Sequence, residues 1–262
     1  MSVSGLNWAF LLRQLVQRDI EAKHKGTAGG VIWLVAQPLL MLAIYTLVFG
    51  LIFQPRWRGI ASIWDYALIL FLGKIAYIYV LESVGRAPSL IAANASYVKK
   101  SRFPLDLLAL MSQATALVGV GISFVVWGVF YGLLHKSLPP PTAVLVPLVF
   151  APLILSATGV SLFLASLGTY FRDVAQIVQP ILFSMMFLSP VFYPIAQSPE
   201  FMKPFLRFNP MSQTIEQTRN LLYFSQPLDW QWLGSQTLIG LLLLGSGWWW
   251  FRRTKRGFAE VL

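Results

Sequence analysis

The residue types that carry out catalysis or hold metals are scarce in this chain of 262 residues, which has no cysteine and only two histidines. Without cysteine there are no disulfides, thiol nucleophiles or thiolate metal sites. His24 and His135 are far apart in sequence, and each lies beside another basic residue. The paired carboxylates, histidine clusters or nucleophile–base sets of an enzyme site are also missing from the sequence. We therefore predict neither a catalytic residue nor a metal site.

One cation has an unusual setting. Lys74 interrupts an otherwise uncharged run from Tyr66 to Leu81. If that run lies in a bilayer, an unpaired charge near its centre costs about 2.5 kcal/mol or more, so such residues usually face water or a partner. Glu82 is two helical turns away, which is expected to be too far for a direct ion pair. Lys74 is therefore a candidate functional residue, or it snorkels from a shifted span.

The composition decides which solvent the chain folds in. Only 11% of the residues are charged and 56% are hydrophobic, whereas a soluble domain has roughly 25% charged residues. The net charge of +10 would suit a nucleic-acid partner only as a basic patch on a solvated domain. Here the charges form short clusters between long uncharged stretches, so we predict a membrane protein with no nucleic-acid partner.

Uncharged stretches that are long enough to cross a bilayer define the predicted transmembrane spans. A hydrocarbon core of about 30 Å needs about 20 apolar helical residues. The sequence predicts one transmembrane domain over residues 1–262, with six spans at approximately 31–53, 63–84, 107–134, 142–168, 174–195 and 231–251. An amphipathic interfacial helix is predicted over 5–25, and short outer-leaflet helices between spans five and six, one of them starting at Asn209-Pro210. The predicted fold class is all-α integral membrane.

The distribution of Lys and Arg predicts the orientation of these spans. Thirteen of the 20 cations lie at the two termini and in the loops after spans two and four, six lie in the opposite loops, and Lys74 is in a span. Because Lys and Arg in short loops favour the cytoplasmic side, both termini are predicted to be cytoplasmic.

Three stretches together resemble a known family. They are RDIEAKHKGTAGGVIWLVAQPLLMLAIYTLVFG from Arg18, YVKKSRFPLDLL from Tyr97 and YFRDVAQIVQPILFSMMFLSPVFYPIAQSPEFMKPFLRFNPM from Tyr170. In this order, the chain resembles the permease subunits of type-2 ABC exporters of polysaccharide, which export O-antigen, capsule or teichoic acid. The resemblance implies a homodimer of permeases in the bacterial cytoplasmic (inner) membrane, assembled with two ATP-binding cassette subunits.

The sequence has no means of its own to use ATP. It contains no G-x-x-x-x-G-K-[ST] phosphate loop, so no cofactor is expected on this chain, and ATP and Mg²⁺ are expected on a separate ATPase subunit. Charged and aromatic residues before spans three and five suit a contact with that subunit, although the cations alone also fit topology anchors. The candidates are Lys99, Lys100, Arg102, Phe103, Phe171, Arg172 and Asp173.

A pathway for sugars would need aromatic faces for their rings and few charges. The resemblance implies that spans one and five line the channel, and in span one residues 33, 37, 41, 45 and 49 recur every four positions. Aromatic residues in membrane helices also serve packing or interface belts. The channel candidates are Trp33, Gln37, Met41, Tyr45, Phe49, Lys74, Met186, Phe187, Phe192 and Tyr193. Ser189 in span five is a further candidate.

A lipid-linked substrate would bring a diphosphate to the cytoplasmic leaflet. Cations on or just after the interfacial helix are candidates to guide it, since guanidinium groups contact phosphate in a forked geometry. They are Arg13, Arg18, Lys23 and Lys25. The alternative is a topology anchor on anionic lipid, worth about 1 kcal/mol per charge near the surface.

Export of lipid-linked polysaccharide, most simply O-antigen, is the predicted function. Export of capsule or teichoic acid, or of a small molecule or drug, is the nearest alternative. A secondary transporter is a different class, which usually relies on intramembrane acids; here no acid lies deep in a span, because Glu82 and Asp106 are near span ends.

Overall fold

The computed structural model describes residues 8–25, 27, 29–48, 60, 62–98 and 103–261. Within these ranges every regular element is helical, which confirms the predicted all-α class. The α-helices are α1 (Trp8–His24), α2 (Trp33–Tyr45), α3 (Ile63–Gly85), α4 (Ala87–Ala93), α5 (Ala95–Val98), α6 (Asp106–His135), α7 (Val146–Tyr170), α8 (Val174–Leu188), α9 (Lys203–Phe208), α10 (Pro210–Leu222), α11 (Trp230–Thr254) and α12 (Phe258–Val261). Five short 3₁₀ segments lie between or beside them.

Three helices of the described chain are long and apolar enough to cross a membrane: α3, α6, and α7 with the 3₁₀ turn before it. Two shorter apolar helices cover Trp33–Val48 and Val174–Leu188. The sixth predicted span corresponds to α11, which is 25 residues long but less apolar than the other three long helices. The distal part of the first predicted span, from residue 49, lies outside the described residues.

The helix of the fifth predicted span is shorter than the 174–195 that the sequence suggested. It ends at Leu188, and Ser189 has extended backbone angles (φ −112°, ψ 156°). Pro190 follows directly and disfavours helical angles at Ser189, because its ring clashes with the preceding residue in the α conformation. The residues after Leu188 therefore form a turn instead of another helical turn.

Side-chain caps fix where α10 and α11 begin. Asn209 accepts a hydrogen bond from the backbone N–H of Met211 (3.0 Å), and Pro210 is the first residue of α10, as predicted. Asp229 accepts from the N–H of Trp232 (3.0 Å) at the start of α11. Such caps satisfy backbone donors that have no partner within the helix. The two caps therefore fix the first residues of α10 and α11.

One end of the bundle holds the segments near both chain ends. Lys23 of α1 pairs with Glu82 near the end of α3 (2.8 Å), and Lys255 pairs with Asp106 at the start of α6 (3.4 Å). The hydroxyl of Tyr170, the last residue of α7, donates to the backbone of the last residue of α11 (2.7 Å). We call this the proximal end; the four segments predicted to share one side of the membrane meet there.

The opposite, distal end is closed by contacts between α3, α6, α10 and the turn before α7. His135 at the end of α6 lies 2.9 Å from the carboxylate of Asp65 at the start of α3. The Thr142 hydroxyl donates to the backbone carbonyl of Leu221 (2.5 Å). Residues 189–229 belong to this end, because α10 packs on α3 and α7 there.

Glycines allow α7 and α11 to touch backbone to backbone. A Cβ at Gly247 would lie 2.1 Å from the carbonyl oxygen of Gly159, and a Cβ at Gly159 would lie 2.3 Å from the backbone of Leu243. Gly245, two residues earlier on α11, has no atom within 4 Å of such a Cβ. Small residues at contact positions are the usual means of close helix packing in membranes. They hold α11, the least apolar long helix, against the rest of the bundle.

Candidate functional site

A row of four aromatic rings runs along α8 and across to α2. The ring centroids of Phe183 and Phe187 are 5.7 Å apart, those of Phe187 and Phe192 are 6.0 Å apart, and those of Phe192 and Tyr45 are 6.2 Å apart. Phe183 and Phe187 share one face of α8 because they are four residues apart. Their side chains are 60% and 54% exposed. We call these four residues the aromatic row.

The turn after α8 is fixed to the body of the protein by a buried arginine. Arg219 of α10 is 1% exposed. Its guanidinium donates to the backbone carbonyls of Pro190 and Val191 (both 2.6 Å) and of Ile69 in α3 (3.1 Å). Arg219 thus ties the residues just before Phe192 to α3, and the position of this ring depends on it.

Two further contacts position the aromatic residues of that turn. The Tyr193 hydroxyl donates to the carbonyl of Phe187 (3.1 Å), and the side-chain amide of Asn209 donates to the Ser189 hydroxyl (3.3 Å). The turn is therefore folded back on α8 at one side and held by the start of α10 at the other. This geometry places the ring of Phe192 against α2.

Lys74 lies beside the aromatic row, halfway along α3. Its ammonium is 4.5 Å from the ring centroid of Tyr77 and 5.6 Å from that of Tyr45. It also lies 3.3 Å from the sulfur of Met186 in α8. Among the described residues no carboxylate is within ion-pair distance of it. The cation is held by aromatic faces and a thioether, and Glu82, as expected, does not reach it.

The other channel candidates are dispersed. Trp33 and Gln37 are exposed, and the indole of Trp33 lies against Gly29. Met41 packs on the main hydrophobic core with Leu42. Phe49 lies outside the described residues. Within the four-residue stripe of span one, Met41 and Tyr45 pack toward the protein interior, whereas Trp33 and Gln37 are exposed. The stripe therefore does not form one continuous surface.

Two of the predicted phosphate-contacting cations make contacts within the chain. The Lys23 ammonium pairs with Glu82, and the Arg18 guanidinium donates to the Tyr97 hydroxyl and lies 5.0 Å from the centre of its ring. The side chains of Arg13 and Lys25 are exposed. Arg18 and Lys23 hold α1 to the proximal end, which leaves the other two open to a ligand.

A bidentate ion pair adds to this attachment of α1. Both guanidinium nitrogens of Arg86 donate to Asp19, at 2.9 and 2.7 Å. Burial by itself would raise the pKa of Asp19, but the hydrogen bonds and charge of Arg86, with smaller effects of Thr115 and Lys23, lower it below the ordinary value. The hydrogen bond with Asp19 in turn raises the pKa of Arg86. Both groups are charged at neutral pH.

The residues predicted to contact an ATPase subunit also lie at the proximal end. Phe103 packs against Tyr97 with ring centroids 4.4 Å apart and the rings tilted by 34°. Phe171, Arg172 and Asp173 are exposed in the turn between α7 and α8. Lys99, Lys100 and Arg102 lie outside the described residues. The described candidates thus present one packed aromatic pair and one exposed turn.

The sequence from α1 to the end of α10 matches a known family. Residues 11–223 match the family described as ABC-2 type transporter. The chain belongs to the ABC-2 type transporter family. Together with the three long apolar helices, this makes the chain an integral membrane protein of a transporter family. The matched range includes the whole aromatic row, Lys74 and Arg219.

Several relatives of this ABC-2 type transporter have been named. It is 26% identical over 254 residues to the O-antigen export system permease protein RfbA of Myxococcus xanthus, covering 96% of this chain and 95% of the relative. The protein of the same name from Klebsiella pneumoniae is 24% identical with the same coverage. The polysialic acid transport protein KpsM of Escherichia coli is 20% identical over 233 residues, covering 87% and 88%. These matches confirm the resemblance to polysaccharide-export permeases.

Two residues of this ABC-2 type transporter's site were not predicted from sequence. Phe183 extends the aromatic row by one turn, and its spacing of four residues from Phe187 indicates this directly. In sequence, Arg219 is one of the six cations of the loops opposite the termini, and no further role is predicted for it. It lies one helical turn after Ile215, on the face of α10 that is apolar in sequence, and that position indicates a buried guanidinium. The part of the chain that the structure describes contains no group of three metal-ligating side chains.

Proposed function

We propose that this ABC-2 type transporter is the channel-forming subunit of an ATP-driven exporter that moves lipid-linked polysaccharide, foremost O-antigen, across the bacterial cytoplasmic membrane. The observation that carries the proposal is the aromatic row, in a chain whose relatives are named as O-antigen export permeases. Sugar rings have apolar faces that pack on aromatic rings and hydroxyl rims that exchange hydrogen bonds. A sparsely charged aromatic surface binds such a polymer weakly at each step, which allows it to slide.

The proposed topology has six spans, formed by α2, α3, α6, α7, α8 and α11, in one domain. Both termini lie in the cytoplasm. Supporting this, the two termini and the loops after α3 and α7 meet at the proximal end, and the same segments hold thirteen of the 20 cations. The short helices α9 and α10 lie in the outer leaflet at the distal end, where their irregular connections are covered by protein.

The channel is proposed to form between two copies of this chain. α2 and α8 both pack on α3, and their outer faces carry exposed large apolar residues such as Trp33 and Phe187. In a homodimer these faces would meet across a two-fold axis. Each copy would then contribute one aromatic row and one Lys74 to a common pathway.

Two separate ATP-binding subunits are proposed to drive transport, with ATP and Mg²⁺ bound on them. Their contact surface on this chain is the proximal end, including Phe103 and the exposed turn of Phe171, Arg172 and Asp173. Tyr97 joins Phe103 to Arg18 of α1. A movement imposed on this surface would therefore also move the interfacial helix.

The interfacial helix is proposed to receive the diphosphate of the lipid-linked substrate. Arg13 and Lys25 have exposed side chains, so they are the cations of α1 and its C-terminal flank that we assign to this contact. Arg18 and Lys23 act by holding α1 in place, since their side chains are engaged with Tyr97 and Glu82.

The proposed function is tested by deleting the chain in its own host and complementing with the wild-type gene. We expect the deletion strain to lose its surface polysaccharide and to accumulate lipid-linked glycan on the cytoplasmic side. Export is also expected to stop when the co-encoded ATPase loses the lysine of its phosphate loop, because that lysine contacts the ATP phosphates. Unchanged surface polysaccharide in the deletion strain, or export that continues without ATP hydrolysis, would contradict the proposal.

The position of the aromatic row in a water-filled pathway has its own test, for which the natural absence of cysteine provides the background. We expect Phe183→Cys to react with a membrane-impermeant maleimide in the assembled complex, because the reactive thiolate forms only where water reaches the sulfur. Leu241→Cys on the outer face of α11, also near mid-helix and 52% exposed, is expected to face lipid and not to react. Equal reactivity at the two positions would contradict the proposal that the aromatic row lines the pathway.

Capsule export is the second candidate function, favoured by the similarity to KpsM, which is named for polysialic acid transport. The polysaccharide lost from the surface of the deletion strain distinguishes it from O-antigen export, since O-antigen is recovered on lipopolysaccharide. Teichoic acid export and small-molecule export are separated by the same fractionation.

A further inference from the structure

We propose that Lys74 is a binding site for an anionic group of the transported substrate, a carboxylate or a phosphate. This inference rests on the proposed function and adds to it the chemical class of the group that the pathway contacts. It starts from the setting of Lys74 at the midpoint of α3, where a cation in an apolar span needs a compensating partner.

The groups that surround this ammonium in the described structure carry no negative charge. The faces of Tyr77 and Tyr45, at 4.5 and 5.6 Å, attract a cation through their quadrupoles but carry no net charge. None of the ion pairs formed by the described residues includes Lys74, and the nearest acid in sequence, Glu82, is engaged by Lys23 at 2.8 Å. Within the described chain the positive charge of Lys74 is therefore uncompensated.

Most of the N–H donors of this ammonium also have no acceptor in the described structure. A lysine ammonium has three N–H donors, and in the described structure Lys74 donates to the sulfur of Met186, a weak acceptor, at 3.3 Å. The remaining donors suit anionic oxygens, since hydrogen bonds between charged partners are shorter and stronger than neutral ones. A neutral hydroxyl would accept a hydrogen bond but would leave the charge uncompensated.

The location couples this site to the aromatic row. Tyr45 belongs to the row and also lies over the ammonium, so an anion bound at Lys74 would lie beside a ring that packs on Phe192. A lipid-linked glycan brings anionic oxygen from two sources: acidic sugars along the polymer and the diphosphate of its lipid carrier. Both would pass this point.

The test compares Lys74→Met, Lys74→Arg and the control Lys136→Met, each expressed with the ATPase in the deletion strain. Lys136 is an exposed cation just after α6, outside the proposed site. We expect Lys74→Met to reduce surface polysaccharide by about tenfold or more, the scale set by one lost charge-assisted hydrogen bond. Lys74→Arg is expected to keep most of the export and Lys136→Met all of it. Membrane levels of each variant are measured by immunoblot.

The two anion sources give different products. If acidic sugars bind at Lys74, the polymer contains carboxylate or phosphate in its repeats, and Lys74→Met shortens the exported chains because every repeat meets the site. If the diphosphate binds there, the number of exported chains falls while their length distribution stays the same. Either pattern supports the proposal.

Normal export by Lys74→Met would overturn it. So would an equal defect in Lys74→Arg and Lys74→Met at wild-type membrane levels, because the side chain would then be needed for its shape and not for its charge. If the deletion itself leaves surface polysaccharide unchanged, the proposed function fails. If the deletion removes it and Lys74→Met restores it, only the anion site fails.

Discussion

Replacing Arg219 by leucine is expected to abolish export and to destabilise the protein by about 3–5 kcal/mol, the cost of removing one partner from a buried charged network. The guanidinium is the donor for three backbone carbonyls, two in the turn after α8 and one in α3. Without it these carbonyls lose their charged donor, and each buried polar group left unpaired costs about 1–3 kcal/mol. The turn that carries Phe192 would then no longer be fixed to α3.

Glu216 increases the loss of stability that we expect for Arg219→Leu. Its carboxylate lies one turn before Arg219 on α10, 4.0 Å from the guanidinium, and its nearer oxygen has no hydrogen-bond partner within the described structure. Removing the cation would leave this mostly buried carboxylate without a counter-charge. The variant Glu216→Gln combined with Arg219→Leu is therefore expected to be less unstable than Arg219→Leu alone.

The loss of stability is measured by thermal unfolding of the detergent-purified transporter. The loss of export is measured as the surface polysaccharide of complemented cells. Arg207→Leu is the matched control, since Arg207 is an exposed arginine on α9. Arg219→Lys should fall between wild type and Arg219→Leu, because a lysine ammonium cannot reproduce the forked contact with neighbouring carbonyls. Wild-type stability and export in Arg219→Leu would show that the turn is held by other contacts.

Replacing Arg86 by leucine is the second large effect expected, with a loss of stability of about 1–3 kcal/mol at neutral pH. Arg86 is 34% exposed and Asp19 11% exposed, so the loss should be smaller than for a fully buried pair and larger than for a surface pair. The substitution would leave the mostly buried Asp19 without its bidentate donor and loosen α1 from the proximal end. Export should fall, because α1 carries Arg13 and contacts Tyr97.

The pH dependence of this pair follows from the lowered pKa of Asp19. A carboxylate with a lowered pKa in the folded state stabilises the fold above its unfolded pKa and loses that contribution as the pH falls. The contribution of Asp19 to the stability of the wild type should therefore be complete above the ordinary value of 3.8 and shrink as the pH falls through and below it.

A surface ion pair in the same protein is the control for the Arg86 experiment. Lys203 pairs with Glu200, whose side chain is 88% exposed, and Lys203→Leu is expected to change the melting temperature little. The double substitution Asp19→Arg with Arg86→Asp should recover part of the stability that Arg86→Leu loses. An Arg86→Leu protein that melts like wild type at neutral pH would contradict a structural role of the pair.

The aromatic site was partly predictable because its members follow local rules. Phe187 lies in a long apolar run, and Tyr45 lies on a four-residue stripe, both of which are visible in sequence. Trp33 and Gln37 belong to the same stripe, yet they are exposed. The spacing shows which residues share a face of a helix, but it does not show which part of that face meets α8.

For the cations, too, the sequence predicted some properties and not others. Their clustering predicted which segments share one end of the bundle, since charges avoid the hydrocarbon core whatever the tertiary packing. The partner of each cation was not predictable: Lys23 is bound to Glu82, 59 residues later, and Arg219 binds Ile69 across 150 residues. Lys74 was identified by its sequence position, and Tyr77 follows it by three residues on α3, whereas Tyr45 and Met186 reach it from α2 and α8.

The sequence by itself determined that this chain is a helical membrane protein with long apolar helices. Each of those properties depends on composition and on periodicity within about 20 neighbouring residues. The tertiary structure decided that α8 stops at a turn held by Arg219, that four rings form a row, and that Lys74 has no carboxylate within reach among the described residues. Such contacts join residues from separate helices, so they are fixed by packing and not by local sequence.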